Sequence, residues 1–512
     1  MDLVVTTSRQ VGGTASRAEK VRHLATALRT LDAHELELAV SYLSGKIRQG
    51  RIGIGPVALR NHITGAAPAA TLSLLEVDRL LAELATIRGS GSGARRGALL
   101  KELFGRATRE EQEFLLRLML GELRQGALAG VMLDAIASVM GLPLADLRRA
   151  AMYERNLGKV ARAVRESGAA GLHRFQLEVM SPVAPMLAQP ASDVHEALEA
   201  LTGEVAFEWK MDGARIQVHK LGELVRVFTR NLNEVTTVVP EIVADVHLLP
   251  VEQIVLDGEA ITFAPTGRPH AFQTTMRRFG RKLDVEQLQE SLPIRAYYFD
   301  CLRLNEEALV DRPARERFAA LARTLPAALL IPRRVTRDGA EASAFYDESL
   351  AQGHEGLMAK SLDAPYEAGS RGASWLKIKR VHTLDLVVLA AEWGHGRRQG
   401  KLSNLHLGAF DSATGGYVML GKTFKGLTDA MLAWQTREFL ARETHRDAAT
   451  VFVRPELVVE IAFSDLQAST RYPGGVALRL ARVKRYRPDK SVTDADSMET
   501  VRRIFAAQAG PG

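Results

Sequence analysis

A chain of 512 residues, 46% hydrophobic and 25% charged, has globular composition and is too long for one ordinary core, so two to four domains are expected. The formal net charge of +7 favours a polyanionic partner over an acidic or neutral one. The lone cysteine, Cys301, excludes a disulfide framework and a cysteine-based zinc site, and it reads as a small buried side chain rather than a nucleophile. The opening MDLVVTTSRQ lacks a basic stretch followed by an apolar one, and no run approaches the roughly 18 apolar residues of a membrane span. A soluble cytoplasmic protein without a membrane partner is expected.

The first third is helical in pattern. AEKVRHLATALRTL, AHELELAVSYLSG and REEQEFLLRLMLGELRQGAL repeat apolar residues at i, i+3, i+4 and i+7. Asp32 and Thr108 are expected N-caps, and Glu111 completes a capping box with Thr108. Gly89–Gly97, GSGSGARRG, reads as a flexible loop before a helix from about Ala98; it lacks the Gly-Lys-Ser/Thr ending of a phosphate-binding loop. Near Phe175 the pattern changes. Prolines interrupt LEVMSPVAPMLAQPA, and the alternating runs VAFEWKM, ARIQVHK, LVRVFTR, QIVLDGEAI and IRAYYFDCLRL predict an antiparallel α+β domain. Helices are expected near Asp193–Leu201 and Ala314–Arg323. After Lys379–Arg380, DLVVLAAEWG, LHLGAFD, YVMLGKTF and LVVEIAFSDL predict the strands of a small barrel, closed by a helix at about Asp496–Gln508.

The chemistry centres on EWKMDGARIQ, Glu208 to Gln217. Here a lysine ends a strand, and an Asp-Gly turn leads to a second strand starting at Arg215. A lysine amine, with a pKa of roughly 10.4, is protonated at neutral pH and must sit among cations or lose solvent before it can attack phosphorus. Arg215, Arg230, Lys377 and Lys379 are available cations. The competing reading is a solvated hairpin of mixed charge. Trp209 alternates to the opposite strand face from Glu208 and Lys210 and is expected in the core.

Further motifs follow in order: TRN (Thr229–Asn231), LDGEA (Leu256–Ala260), YYFD (Tyr297–Asp300), EGLMAK (Glu355–Lys360), WLKIK (Trp375–Lys379) and LRLARVKRYRPDK (Leu478–Lys490). This ordered set resembles the covalent nucleotidyltransferases, which include ATP-dependent ligases and capping enzymes. The resemblance implies that Lys210 takes up AMP from ATP, that Glu208 reads the adenine amine and that Phe299 stacks on the base. It gives Arg215 and Arg230 ribose or phosphate contacts and places Glu259 near ribose and metal. Glu355 becomes a metal-linked carboxylate, and Arg371, Lys377 and Lys379 surround the triphosphate. Carboxylates without a His or Cys cluster suit Mg²⁺ rather than zinc. Residue by residue the alternatives are plain core for Phe299, turn carboxylates for Asp257 and Glu259, and a solvated strand face for Lys377 and Lys379.

The N-terminal third decides the branch. GELRQGA at Gly121–Ala127 resembles the signature of the helical DNA-binding domain of cellular ATP-dependent DNA ligases, and gives Arg124 a DNA contact; PMLA at Pro185–Ala188 resembles the start of their adenylation domain. The implied architecture is an all-α DNA-binding domain (residues 1–175), an α+β antiparallel nucleotidyltransferase domain (176–381) and a C-terminal β-barrel of OB-fold type (382–512). One departure stands out: Leu480–Ala481 replaces the family's usual Phe-Pro pair, which puts local packing there in doubt. The expected protein is a monomeric, Mg²⁺-requiring DNA ligase, with a leaning towards a bacterial source, that seals nicks in duplex DNA. A role in replication, repair or recombination is expected, and any sliding clamp or polymerase partner is unknown. The alternatives are a non-catalytic DNA-binding protein with a ligase shell, and an RNA ligase or capping enzyme.

Overall fold

In the computed structural model every residue is described except 51, 64, 124, 126–127, 281–284, 368–372, 396–397 and 510–512. The chain divides into two compact units. Met1–Gln189, Asp212–Pro332 and Lys360–Trp375 form the first; Pro190–Met211, Arg333–Ala359 and Leu376–Gly512 form the second.

The first unit begins with helices, from Asp2–Gly13 to Leu157–Ser167. Their apolar stripes meet in one core that includes Leu28, Leu36, Leu80, Phe104, Leu115, Ile136 and Val160. The expected caps form. Asp32 accepts from the backbone N–H of His34 and Glu35, and Thr108 with Glu111 makes a reciprocal capping box. Two expectations need correction. GSGSGARRG is not a loop up to Ala98, because a helix already runs over Ser92–Arg106. The first-turn arginines anchor it: Arg95 donates to the Arg88 carbonyl at 3.0 Å, and Arg96 to the Ile87 carbonyl at 2.8 Å. The helix Arg109–Leu120 also does not continue through GELRQGAL. It stops at Gly121, whose φ of 68° is the left-handed conformation that glycine adopts at little cost. Beyond it, buried Gln125 is held by three helices. Ser8 donates to its side-chain oxygen at 2.6 Å, its amide donates to the Leu43 carbonyl at 2.6 Å, and Lys20 donates to its carbonyl at 2.7 Å.

The same unit carries an antiparallel sheet in the order Leu224–Thr229, Ala214–Leu221, Gln253–Thr262, Ile294–Leu304, Glu307–Ala308. Its register sets Arg215 opposite Glu259 and Gln217 opposite Asp257. Ile216, Val218, Leu256 and Tyr298 pack with Ile242 and Leu321 of the helices Pro240–His247 and Ala314–Thr324. Cys301 lies fully buried here, and burial pushes its thiol up to about 12, which fits a structural side chain.

A five-stranded sheet, most of whose residues belong to the second unit, runs in the order Gln189–Ala191, Trp375–Lys379, Gly356–Ser361, Val205–Trp209, Arg333–Thr336. Phe207, Leu357, Leu376 and Ile378 pack with Ala197 and Phe345 of the helices Val194–Ala200 and Gly339–Ala351. A seven-stranded antiparallel half-barrel of OB type follows. Its longest strand, His382–Trp393, pairs with Leu402–Asp411, Thr450–Val453 and Val458–Phe463. The closing helix is Met498–Ala509. Among the described residues no helix is long and apolar enough to cross a membrane.

Asp300 and Arg317 are both completely buried in the first unit; Arg317 donates to the two carboxylate oxygens at 2.7 and 3.1 Å and to the Arg312 and Ala364 carbonyls. Removing one member of such a pair strands a buried charge. Arg317→Met is therefore expected to cost about 3–5 kcal/mol. Urea midpoints should show this loss, and the double variant Asp300→Leu/Arg317→Met should recover part of it.

Candidate active site

Lys210 follows directly on the strand Val205–Trp209. Its backbone N–H donates to the Gly356 carbonyl at 2.8 Å, and its carbonyl accepts from the Glu355 N–H at 2.9 Å. This pairing sets the lysine beside Glu355. Gly356 has φ of 139°, and a Cβ there would stand 2.2 Å from the Ile378 carbonyl oxygen. Glycine is thus required for the strand Trp375–Lys379 to approach so closely.

Glu355 forms ion pairs with both Lys210 and Lys379, the latter at 2.7–2.8 Å. Its side chain is only 10% exposed. Burial opposes its charge, but the two ammonium groups outweigh burial and hold its carboxyl well below the ordinary carboxylate range. Lys377 and Lys379 are half-buried while Leu376 and Ile378 enter the core, as the alternation predicts. Trp209 packs on the rings of Phe345 and His354, with centroids 6.1 and 5.0 Å apart. Burial draws the His354 imidazole down to about 4, so it is neutral at pH 7.

Glu208 is buried and directly opposite Arg333 across the neighbouring strands. Arg333 donates through Nε at 2.8 Å and Nη2 at 2.6 Å, both to Oε1 of Glu208. Sequence reasoning missed Arg333, since a lone arginine pair in IPRRV carries no motif.

The remaining described candidates lie in the first unit. Arg215 lays its guanidinium along Asp257, with bonds of 3.0 and 2.6 Å, and also donates to the Met186 carbonyl at 2.5 Å and to the Tyr366 hydroxyl at 3.2 Å. Tyr366 in turn donates to Asp257 at 2.6 Å. Burial works against the Arg215 charge, and Asp257 more than offsets it. Asp257 is accordingly an internal counter-ion, a role its sequence position two residues before Glu259 did not reveal. Glu259 is half-buried on the same strand face.

Phe299 is half-buried between the buried Tyr298 and Asp300, which points it off the core. Its ring meets Trp375 edge-on at 6.0 Å, and the Lys360 ammonium lies 4.4 Å from its centroid and 4.2 Å from that of Trp375. This aromatic contact for a buried lysine was also missed; EGLMAK ends on Lys360, but nothing in the sequence pairs it with YYFD. Arg230 is exposed in the turn after the strand Leu224–Thr229. Arg371 and Arg124 lie outside the described residues.

In the barrel, Asp385 accepts from Arg487 at 3.1 Å and from Lys490 at 2.6 Å, and Arg487 also donates to Asp489 at 2.6 Å. Leu480 is 56% exposed with φ of 57°. Ala481 is nonetheless tied in, since its carbonyl accepts from Thr423 at 2.6 Å and the next residue but one, Val483, donates to the Lys425 carbonyl at 2.9 Å. The Leu-Ala departure leaves this segment hydrogen-bonded into the barrel.

A lysine strand with its carboxylate partner, followed by an OB-type barrel, defines a nucleotidyltransferase with a C-terminal oligonucleotide-binding-type domain. Family models described as "ATP dependent DNA ligase domain", "ATP dependent DNA ligase C terminal region" and "DNA ligase N terminus" match residues 185–379, 398–490 and 58–137. The chain is 58% identical to a "Probable DNA ligase" of Anaeromyxobacter sp. (strain Fw109-5), over 99% of this chain and 98% of the relative. It is 53% identical to a "Probable DNA ligase" of Sorangium cellulosum (strain So ce56), over 98% and 95% of the two chains. A solved structure described as "Pmar-Lig_PreS3" shares the fold, with a TM-score of 0.61 at 18% identity over 94% of this chain and 99% of that one. The chain belongs to the ATP-dependent DNA ligases.

Glu355→Gln removes the carboxylate that the Lys210 and Lys379 ammonium groups share, so the two cations remain neighbours without that common acid. A like charge nearby favours loss of a proton. Lys210 should therefore be acylated faster by an amine-reactive ester at pH 8 in this variant than in the parent, as followed by peptide mass mapping. An equal or slower rate would show that the shared carboxylate does not govern the amine.

Proposed function

We propose that Lys210 attacks the α-phosphate of ATP, forming a phosphoramidate with AMP and releasing pyrophosphate. AMP then passes to the 5′-phosphate at a nick in duplex DNA, and the adjacent 3′-hydroxyl displaces it to form the phosphodiester. The observation that carries this reading is the placement of the Lys210 amine on Glu355 with Lys379 on the same carboxylate. A half-buried amine beside another cation and one displaceable acid is the setting in which a lysine becomes a nucleophile.

The other roles follow the ligase pattern. Glu208 reads the adenine amine and Phe299 stacks on the base. Arg215 and Arg230 serve the ribose and phosphates, with Arg215 held in place by Asp257. Arg371, Lys377 and Lys379 neutralise the triphosphate, and Arg487 and Lys490 of the barrel serve the departing pyrophosphate. Glu259 and Glu355 fit Mg²⁺, being half-buried oxygen donors of which Glu355 already serves cations. The ion would supply charge neutralisation on the phosphates.

For the DNA, we assign residues 1–175 to the helical binding domain, 176–381 to adenylation and 382–512 to the barrel. Together they hold the duplex through phosphate contacts without base readout. Arg124 belongs to this surface. Gln125 beside it in the sequence is fixed by Ser8, Lys20 and Leu43. The reading implies a monomer acting in the cytoplasm, in replication, repair or recombination.

Purified protein incubated with α-labelled ATP and Mg²⁺ should gain one acid-stable AMP on Lys210, and Lys210→Ala should gain none and seal no nicks. Label on another lysine would overturn the assignment. Arg124→Ala should weaken binding to a nicked duplex and flatten its salt dependence by a slope of about 0.9 per lost phosphate contact, with AMP-lysine formation unchanged. A lower melting temperature at unchanged nick affinity would instead make Arg124 a helix brace.

A further inference from the structure

Arg333 lies in the edge strand of the five-stranded sheet, in register with Glu208 and two residues along the neighbouring strand from Lys210. Its neighbour Arg334 turns the other way, over the Phe345 ring at 5.3 Å and towards Glu341 at 3.3 Å. Arg333 alone is therefore committed to Glu208, with two donors on one carboxylate oxygen and a side chain only 17% exposed. Two guanidinium donors converging on Oε1 pin that oxygen more firmly than the single rotating ammonium of a lysine would. A carboxylate carries about four lone-pair positions, so serving Arg333 does not preclude accepting from a base.

A carboxylate buried to this degree is costly, and replacing a buried ion pair by apolar residues is often neutral or stabilising. The pair on the strand that carries Lys210 is thus poorly explained by stability alone. We propose that Arg333 is the positioning residue for nucleotide choice: it holds Glu208 oriented to accept from the 6-amino group of adenine. This rests on the reading of Glu208 as the adenine contact. A purine with a carbonyl oxygen at that position presents an acceptor to an acceptor. With the guanidinium removed, the buried carboxyl loses the contact that sets its direction and with it the discrimination between an amine and a carbonyl oxygen.

The test compares AMP-lysine formation from α-labelled ATP with labelling from purine riboside triphosphate, which lacks the 6-amino group, and from GTP. The parent enzyme should prefer ATP over the deamino analogue by about tenfold or more in kcat/KM, since a hydrogen bond to a charged group is lost. In Arg333→Met this ratio should fall towards one, mainly through KM for ATP, and GTP labelling should rise relative to ATP. Arg333→Lys, which keeps the charge but not the fork, should retain an intermediate ratio and serves if the methionine variant is poorly folded. Equal losses with all three nucleotides in both variants, at an unchanged ratio, would make Arg333 a structural brace and overturn the proposal. A parent enzyme that does not distinguish ATP from the deamino analogue would instead remove the Glu208 reading on which it rests.

Discussion

Two ammonium groups share the Glu355 carboxylate, and that shared charge sets the resting state of the lysine strand. A protonated amine paired with an acid is not a nucleophile. Under the proposed reaction, Glu355 must exchange its internal cations for another partner before Lys210 can attack. The surrounding structure serves this arrangement. Gly356 lets the strands close, the Lys210 backbone pairs with Glu355 and Gly356, and the alternation of WLKIK places Lys379 on the same side as the acid. A triphosphate brings its own negative charge and so competes for the same ammonium groups.

Elsewhere the buried charges are also matched within the protein. Arg215 is matched by Asp257, Arg317 by Asp300, Glu208 by Arg333, and the barrel cations Arg487 and Lys490 by Asp385. A buried charge without a partner is expensive, which is why these groups arrive in pairs. Pairing also fixes direction. Each guanidinium laid along a carboxylate loses rotational freedom before any ligand is present, so less ordering remains to be done on binding.

Much of this was legible in the sequence. Period-3.6 and period-2 patterns located the helical third and the later strands, and IRAYYFDCLRL became a strand with the expected bounds, Ile294–Leu304. Local rules failed where side chains reached back along the chain. Arg95 and Arg96 anchor a helix through a glycine-rich stretch that composition marks as a loop, and Gly121 stops a helix whose apolar rhythm continues beyond it. At the site, the motif residues were readable because they recur in a set order. Their supports were not. Arg333 lies 125 residues from Glu208 and meets it only through the sheet register, and Tyr366, outside any strand, lies 109 residues from Asp257.

The alternation of the chain between its two units bears on how the protein is made. The first unit holds the N-terminal helices and the whole sheet of Ala214–Ala308, yet its last stretch, Lys360–Trp375, is synthesised long after Gln189. At ribosomal speeds of about 5–20 residues per second, that delay is roughly ten to forty seconds. During it the helical third can settle on its own core, while Phe299 and Arg215 wait for Trp375 and Tyr366. The helices therefore have a head start over the sheet that carries these candidate residues. An emerging chain would hold folded helices before the aromatic and tyrosine supports of that sheet exist.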